Sequence, residues 1–207
     1  MIDSHIPNFP QLPMIAPKTD LRALSLSSRK SFTQNEVAER SHKICQQVIK
    51  SILPDISSIH LFLPIAENHE VDLTSLLPIL WEKNISIYVP RVTSEGKMEH
   101  IPLLPETKLV TNKWGIPEPA IDYLPATIKE IHAIDCVLTP LLVCDKKGFR
   151  VGYGGGFYDA FFQKYPHLQK IGVGFFEPIE KIVDTYEGDI PLDCYISPNT
   201  VFHFPNN

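Results

Sequence analysis

The sequence predicts an α/β protein, a three-layer α/β/α sandwich around a mainly parallel, open sheet. Three observations predict it. Apolar runs of strand length alternate with segments whose apolar residues recur at a helical period. Residues 59 to 89 read strand, helix, strand, an order that favours parallel pairing through a right-handed crossover. An apolar run ending at Thr139-Pro140 then leads into a glycine-rich turn with a helix immediately behind it. In α/β proteins such turns sit where ligands bind.

The elements follow in order. Residues 1–17 hold four prolines and no lysine or arginine, and read as an irregular arm rather than a signal peptide or an arginine-rich transit segment. Residues 18–207 are expected to form one α/β domain. A short helix is expected from about Thr19 to Ser28, with Leu21 and Leu24 facing inward. Thr33 to Glu36 has the capping-box form. Behind it Val37, Ser41, Ile44, Cys45, Val48 and Ile52 share one helical face, and Pro54 ends the helix. Ile59 to Leu63 reads as a buried strand and residues 66–72 as a polar loop. Asp72 is placed to cap a helix whose inner face is Leu73, Leu76, Leu77 and Leu80. Lys83-Asn84 is a turn. Ile85 to Val89 is a strand that Pro90 is expected to halt. Residues 92–125 read as a long structured loop with a short strand near Leu109. Pro125 is expected to open a short helix leading to Ile131. Strands follow at Ile134 to Leu138, Ile171 to Phe175, Cys194 to Ile196 and Val201 to Phe204, with a helix from Phe157 to Tyr165. Ile182 and Val183 fall in a connecting segment.

Composition narrows the function classes. The formal net charge is −5, from 19 basic and 24 acidic residues, which argues against a general nucleic-acid or acidic-membrane binder. No apolar run approaches the roughly 20 residues needed to span a bilayer. The expectation is a cytoplasmic monomer that acts on small molecules. Cys45, Cys136, Cys144 and Cys194 form no CxxC pair and read as free core thiols.

The chemistry concentrates in the glycine-rich segment. Gly152, Gly154, Gly155 and Gly156 lie within five positions. Such density is costly in backbone entropy unless the turn needs positive φ or a ligand presses on the main chain. The helix behind it offers unpaired N–H groups to an anion. Arg150 can present a forked pair of donors to a phosphate, and Asp159 can hold Mg²⁺. This is neither a Walker A loop, since no Gly-Lys-Ser/Thr ends it, nor the dinucleotide fingerprint. Lys18 and Arg22, four apart on a helix, share a face that suits a polyphosphate or simply faces solvent. Glu70 could bind the polar edge of a heterocycle or be a surface acid. Trp114 could stack on a flat ring or anchor its loop. Asp189 and Asp193 could join Asp159 at a cation or bracket a turn.

As a set these residues resemble the 5-formyltetrahydrofolate cyclo-ligase family. The resemblance runs from about Lys18 to Ser197 and rests on several points: Lys18-Thr-Asp-Leu-Arg22; Phe62 with the Glu70 loop; Pro90-Arg91; Trp114-Gly-Ile-Pro-Glu-Pro119; and the long motif from Thr139-Pro140 to Phe157-Tyr158-Asp159. It implies a fold like the sugar-phosphate isomerase sheet proteins. It also implies ATP- and Mg²⁺-dependent closure of 5-formyltetrahydrofolate, with or without a polyglutamate tail, to 5,10-methenyltetrahydrofolate, ADP and phosphate. By the resemblance, ATP would meet Lys18, Thr19, Asp20, Leu21 and Arg22, and also Arg150, Val151, Gly152, Tyr153, Gly154, Gly155, Gly156, Phe157 and Tyr158. The folate would meet Ile65, Glu70 and Trp114 together with Tyr153, Gly154, Gly155, Gly156 and Phe157. Arg150 and Lys18 would be catalytic, and Asp159 and Asp189 would match the Mg²⁺ positions. The chain departs from the family pattern at Gly155, where some members carry lysine. It departs also at Tyr153, at Phe157 in place of a tyrosine, and at Cys144, where phenylalanine often precedes the aspartate.

Overall fold

The computed structural model describes residues 12–205. In chain order the elements are β1 (Ile15–Ala16), α1 (Lys18–Lys30), α2 (Gln34–Ser51), β2 (Ser58–His60), α3 (Leu77–Glu82), β3 (Ser86–Val92), β4 (Met98–Pro102), β5 (Leu109–Thr111), β6 (Pro117–Pro119) and α4 (Ile128–His132). There follow β7 (Cys136–Pro140), β8 (Val143–Cys144), β9 (Arg150–Val151), α5 (Phe157–Lys164), β10 (Gln169–Val173), β11 (Lys181–Ile182), β12 (Cys194–Ile196) and β13 (Val201–His203).

Seven strands form one sheet in the order β13-β12-β10-β7-β2-β3-β4. The five inner strands are mutually parallel, and β4 and β13 close the two edges antiparallel. Strand alternation splits the core in two. Cys136 and Leu138 of β7 pack with Ile44, Val48 and Leu80 from α2 and α3, whereas Val137 packs with Ile131, Phe161 and Phe162 from α4 and α5. Helices therefore cover both faces, and the expected three-layer sandwich with a mainly parallel sheet is present.

Most local signals act as the sequence suggests. Thr33 and Glu36 complete a reciprocal capping box, and Asp72 accepts the Thr74 N–H to start the turn that leads into α3. All four cysteines are buried and unpaired, and burial pushes the Cys136 thiol up to about 12. No helix among the described residues is long and apolar enough to cross a membrane.

Several expectations are corrected. Leu24 is 46% exposed, while Leu21 alone of that pair enters the core. Pro90 does not halt β3. Leu103 N–H donates to the Ile87 carbonyl (2.8 Å), so alternate residues from Ile87 bond to β4. Pro90 has the opposite parity and lies beyond the end of β2, where its missing N–H is not needed. Val92, of the same parity, donates instead to Glu118 Oε1 at 2.9 Å. The expected loop after residue 92 contains β4, and its short strand near Leu109 pairs with β6. The run at Thr139-Pro140 does not pass directly into the glycines, because the β8–β9 hairpin intervenes. Ile15–Ala16, at the end of the expected arm, pairs in parallel with Lys181–Ile182; residues 1–11 lie outside the described residues.

Candidate active site at the switch point of the sheet

The strand order reverses between β2 and β7. From β2 the chain moves to β3 on one side, and from β7 to β10 and β12 on the other. Loops leaving the carboxyl ends of such neighbouring strands border a crevice. The loop after β2 carries Ile65 and Glu70, and the segment after β7 carries the β8–β9 hairpin and the glycine run. The third contributor, α1, arrives through β1. Pairing of β1 with β11 seats Pro17 at the start of α1, the Lys18 N–H donates to Asp184 Oδ1 (2.8 Å), and Leu21 is buried. Lys18 and Arg22 are thereby aimed at the glycines.

Asp145 ties the β8–β9 hairpin to β11, the partner of β1. Its carboxylate is 1% exposed; Oδ1 accepts the N–H groups of Lys147 and Phe149 across the hairpin turn, and Oδ2 accepts the Ile182 N–H of β11 at 3.1 Å.

α1, the segment after β7 and residues 186–189 beyond β11 enclose a cavity of about 330 Å³, lined by Lys18, Arg22 and Arg150, the glycine run from Gly152 to Gly156, Phe157 to Asp159, and Asp189. Its charges alternate. Lys18 Nζ sits 2.6 Å from Asp189 Oδ1 and 2.5 Å from Oδ2. Arg150, with a nearly buried side chain, donates to Asp159 Oδ1 at 2.8 Å and to the Ile190 carbonyl. Burial lowers the Arg150 pKa, and the Asp159 and Asp189 carboxylates oppose that shift. Arg22 Nε donates to the Gly152 carbonyl at 2.8 Å, and Arg22 has no carboxylate partner among the described residues.

The donor set suits a polyphosphate. A Cβ added at Gly152 or Gly156 would meet nothing within 4 Å, so the main chain there is open to a ligand. Gly154 (φ +100°) and Gly156 (φ +66°) hold left-handed backbone that side chains resist. The first N–H groups of α5 have no helical partners, and Tyr158, which also lines the cavity, has a buried hydroxyl with no protein partner. The carboxylates suit a more limited task. Among the described residues no group of three or more His, Cys, Asp or Glu side chains could hold a metal ion. Two carboxylates already facing cations match a Mg²⁺ that takes most of its ligands from phosphate and water; they do not make a cage for a resident ion.

A model of the 5-formyltetrahydrofolate cyclo-ligase family matches residues 14–187. The chain belongs to this family. Its sequence is 30% identical over 139 residues to the 5-formyltetrahydrofolate cyclo-ligase of Escherichia coli K12, covering 65% of this chain and 75% of that protein. Identity is 27% over 202 residues to a probable 5-formyltetrahydrofolate cyclo-ligase of Schizosaccharomyces pombe, covering 89% and 96%. The fold matches the solved structure of Aquifex aeolicus 5,10-methenyltetrahydrofolate synthetase with a TM-score of 0.75 and 26% identity, over 92% of this chain and 94% of that one. Membership makes this chain an enzyme of the ligase class, and the expected sheet architecture is that of its structural relatives.

Within this cyclo-ligase family member, not every residue expected at the site lines the cavity. Thr19 and Asp20 do not, and Leu21 faces the core. Ile65, Glu70 and Trp114 form an adjoining group. Glu70 is 5% exposed and accepts the Ile65 N–H at 2.7 Å. Gly115, beside the half-exposed Trp114, lies against Ile65, at 3.8 Å from where a Cβ would sit. Tyr153 bridges this group to the cavity. Burial raises its phenol, and the neighbouring Glu70 carboxylate adds to the rise. Asp193 belongs elsewhere, since it pairs with Lys170 at 3.0 Å. Arg91 is structural, donating to Glu99 and to the Ala120 carbonyl.

Gly155 and Phe157 depart from the family pattern together. A Cβ on Gly155 would come within 2.7 Å of the Phe157 ring, so a lysine there requires that ring to move. Sequence reasoning missed Tyr186, which lines the cavity and whose ring lies 4.8 Å from Lys18 Nζ. It also missed Arg29, buried, with one Nη donating to the Leu141 carbonyl and the other 3.5 Å from the Tyr153 hydroxyl. No motif marks either residue; each is brought in by the tertiary pairing of α1 with the segments after β7.

Proposed function

We propose that this chain converts 5-formyltetrahydrofolate to 5,10-methenyltetrahydrofolate, with ATP consumed to ADP and phosphate and Mg²⁺ carried on the nucleotide. The observation that carries the proposal is the convergence of Lys18, Arg22 and Arg150 on an open glycine run whose rim, through Tyr153, reaches Glu70.

The chemistry explains why such a site suffices. A formamide carbonyl is a weak electrophile because its nitrogen donates into it. The nucleotide, when bound with Mg²⁺, supplies the phosphoryl group that makes the formyl oxygen a leaving group. N10 then bonds to the formyl carbon and loses its proton, and the oxygen departs with phosphate. The substrate supplies its own nucleophile, so the protein's work is positioning and charge stabilisation. Arg22 and the α5 N–H groups hold the phosphate chain. Arg150 and Lys18, each set in place by its carboxylate, face the charge that develops on the transferred group. Glu70, fixed by the Ile65 N–H, orients the heterocycle through its N–H groups, with Trp114 covering the edge.

The test is the absorbance of the methenyl product on mixing purified protein with 5-formyltetrahydrofolate, MgCl₂ and ATP. A rise that needs both ATP and Mg²⁺ is expected; no rise with all components present overturns the proposal. Within the same scheme Glu70→Gln is expected to raise the KM for the folate by about tenfold, the scale of one charge-assisted hydrogen bond, with the KM for ATP little changed. Equal shifts in both would remove Glu70 from the folate side.

A further inference from the structure

We propose that Arg29 reads the carbonyl edge of the folate heterocycle beside Glu70, and that the Tyr153 hydroxyl holds the place of that edge until the substrate arrives. The inference rests on the folate reading of the Glu70 group.

Arg29 lies near the end of α1 and is 2% exposed. A buried guanidinium is costly unless a carboxylate or a full set of acceptors faces it. Among the described residues Arg29 has neither: it makes no ion pair, and its Nε has no acceptor. One Nη donates to the Leu141 carbonyl, and the Phe175 ring centre lies 5.7 Å from the guanidinium carbon, so that side of the group is anchored. The other Nη reaches the Tyr153 hydroxyl at 3.5 Å. At that length little of a hydrogen bond remains.

Glu70 is the counterpart of opposite charge. It is 5% exposed, accepts the Ile65 N–H at Oε2, and has no cation at ion-pair distance among the described residues. The loop that carries it is tied to α1 by His69, whose Nδ1 donates to the Arg29 carbonyl at 2.8 Å. Glu70 faces the same phenol. The Tyr153 O–H is directed at the Glu70 carboxylate, and Asn68 donates to the phenol oxygen. A buried cation and a buried carboxylate therefore meet across one oxygen, which donates to the carboxylate and accepts from the cation.

A lactam edge has the same polarity. In the pterin ring of a folate, the N3–H is a donor and the adjacent C4 carbonyl an acceptor. Glu70 accepts from the first and the free Nη of Arg29 donates to the second. Both hydrogen bonds are charge-assisted, and such bonds are stronger than neutral ones. The phenol is the part able to leave. Tyr153 is 42% exposed and stands between Gly152 and Gly154, and a Cβ at Gly152 would meet nothing within 4 Å. Rotation of its side chain uncovers both charged groups without moving Arg29 or the Ile65–Glu70 contact.

Tyr153→Phe tests this placement, because it removes the hydroxyl and keeps the ring. Calorimetry with 5-formyltetrahydrofolate and no nucleotide is expected to show binding about fivefold tighter than in the wild type, the equivalent of one net hydrogen bond that the substrate no longer has to displace. A hydroxyl that merely supports the loop gives no such gain, and unchanged or weaker binding overturns the inference. Side-chain nitrogen NMR of the wild type tests Arg29 directly. Its Nη signals are expected to shift with 5-formyltetrahydrofolate and not with tripolyphosphate; no shift with the folate overturns the assignment of Arg29. Wild-type protein that binds no 5-formyltetrahydrofolate overturns the folate reading of the site, and this inference with it.

Discussion

Arg150→Ala is expected to lower turnover by about 100-fold or more, the usual scale for loss of a preorganised charge contact in the transition state. Steady-state kinetics at saturating ATP and folate measure it. The residue is also a strut, because its guanidinium holds Asp159 and the Ile190 carbonyl together. Removing one partner of a mostly buried ion pair costs about 3 kcal/mol or more, so a thermal melt belongs beside the kinetics. Arg150→Lys separates the two roles. Lysine retains the charge but cannot span both Asp159 and Ile190 with a planar fork. It is expected to recover stability in part and turnover only weakly. A near-normal rate in Arg150→Ala would remove the residue from catalysis, whatever the melt shows.

Asp145→Ala is expected to lower stability by about 3 kcal/mol. One carboxylate accepts three backbone N–H groups, and leaving buried donors unpaired costs about 1–3 kcal/mol each. The Lys147 and Phe149 donors are partly accessible and recover some of this from water, while the Ile182 donor is buried. Denaturant unfolding measures the loss as a shift in midpoint. Asp145→Asn keeps one acceptor oxygen and is expected to fall between. Asp145 contacts no part of the cavity, so a raised KM for ATP in the folded fraction would report that α1 had lost its register through β11 and β1. An unchanged midpoint would refute the role given to this carboxylate.

How far the sequence could be read depended on whether a signal was local. Thr33 and Glu36 are three apart, so their capping box was visible before any fold was known, and so was the inner face of α2. The parallel order of β2 and β3 followed from the short helix between them. Pro90 misled because its tolerance depends on where β2 ends, a fact held thirty residues away. Leu24 misled because helical periodicity gives a face but not its width. The β4 strand was hidden by the polar and proline-rich residues around it, which its antiparallel edge position tolerates. At the site, the glycine run, Arg150, Asp159 and Lys18 were legible as residue types suited to phosphate. That Lys18 pairs with Asp189 was not, because the contact joins α1 to a loop 171 positions further along the chain.

The β1–β11 ladder has a consequence for the order of assembly. Ile15 pairs with Lys181, and Lys18 with Asp189, the second pair 171 positions apart in sequence. Closing loops of that length is slow and comes late, because entropy is lost well before the contacts that reward it form. The sheet from β2 to β10 can condense while α1 still lacks its anchor. Under the proposed function, competence to bind phosphate arrives near the end of folding, once residues 181–189 have docked.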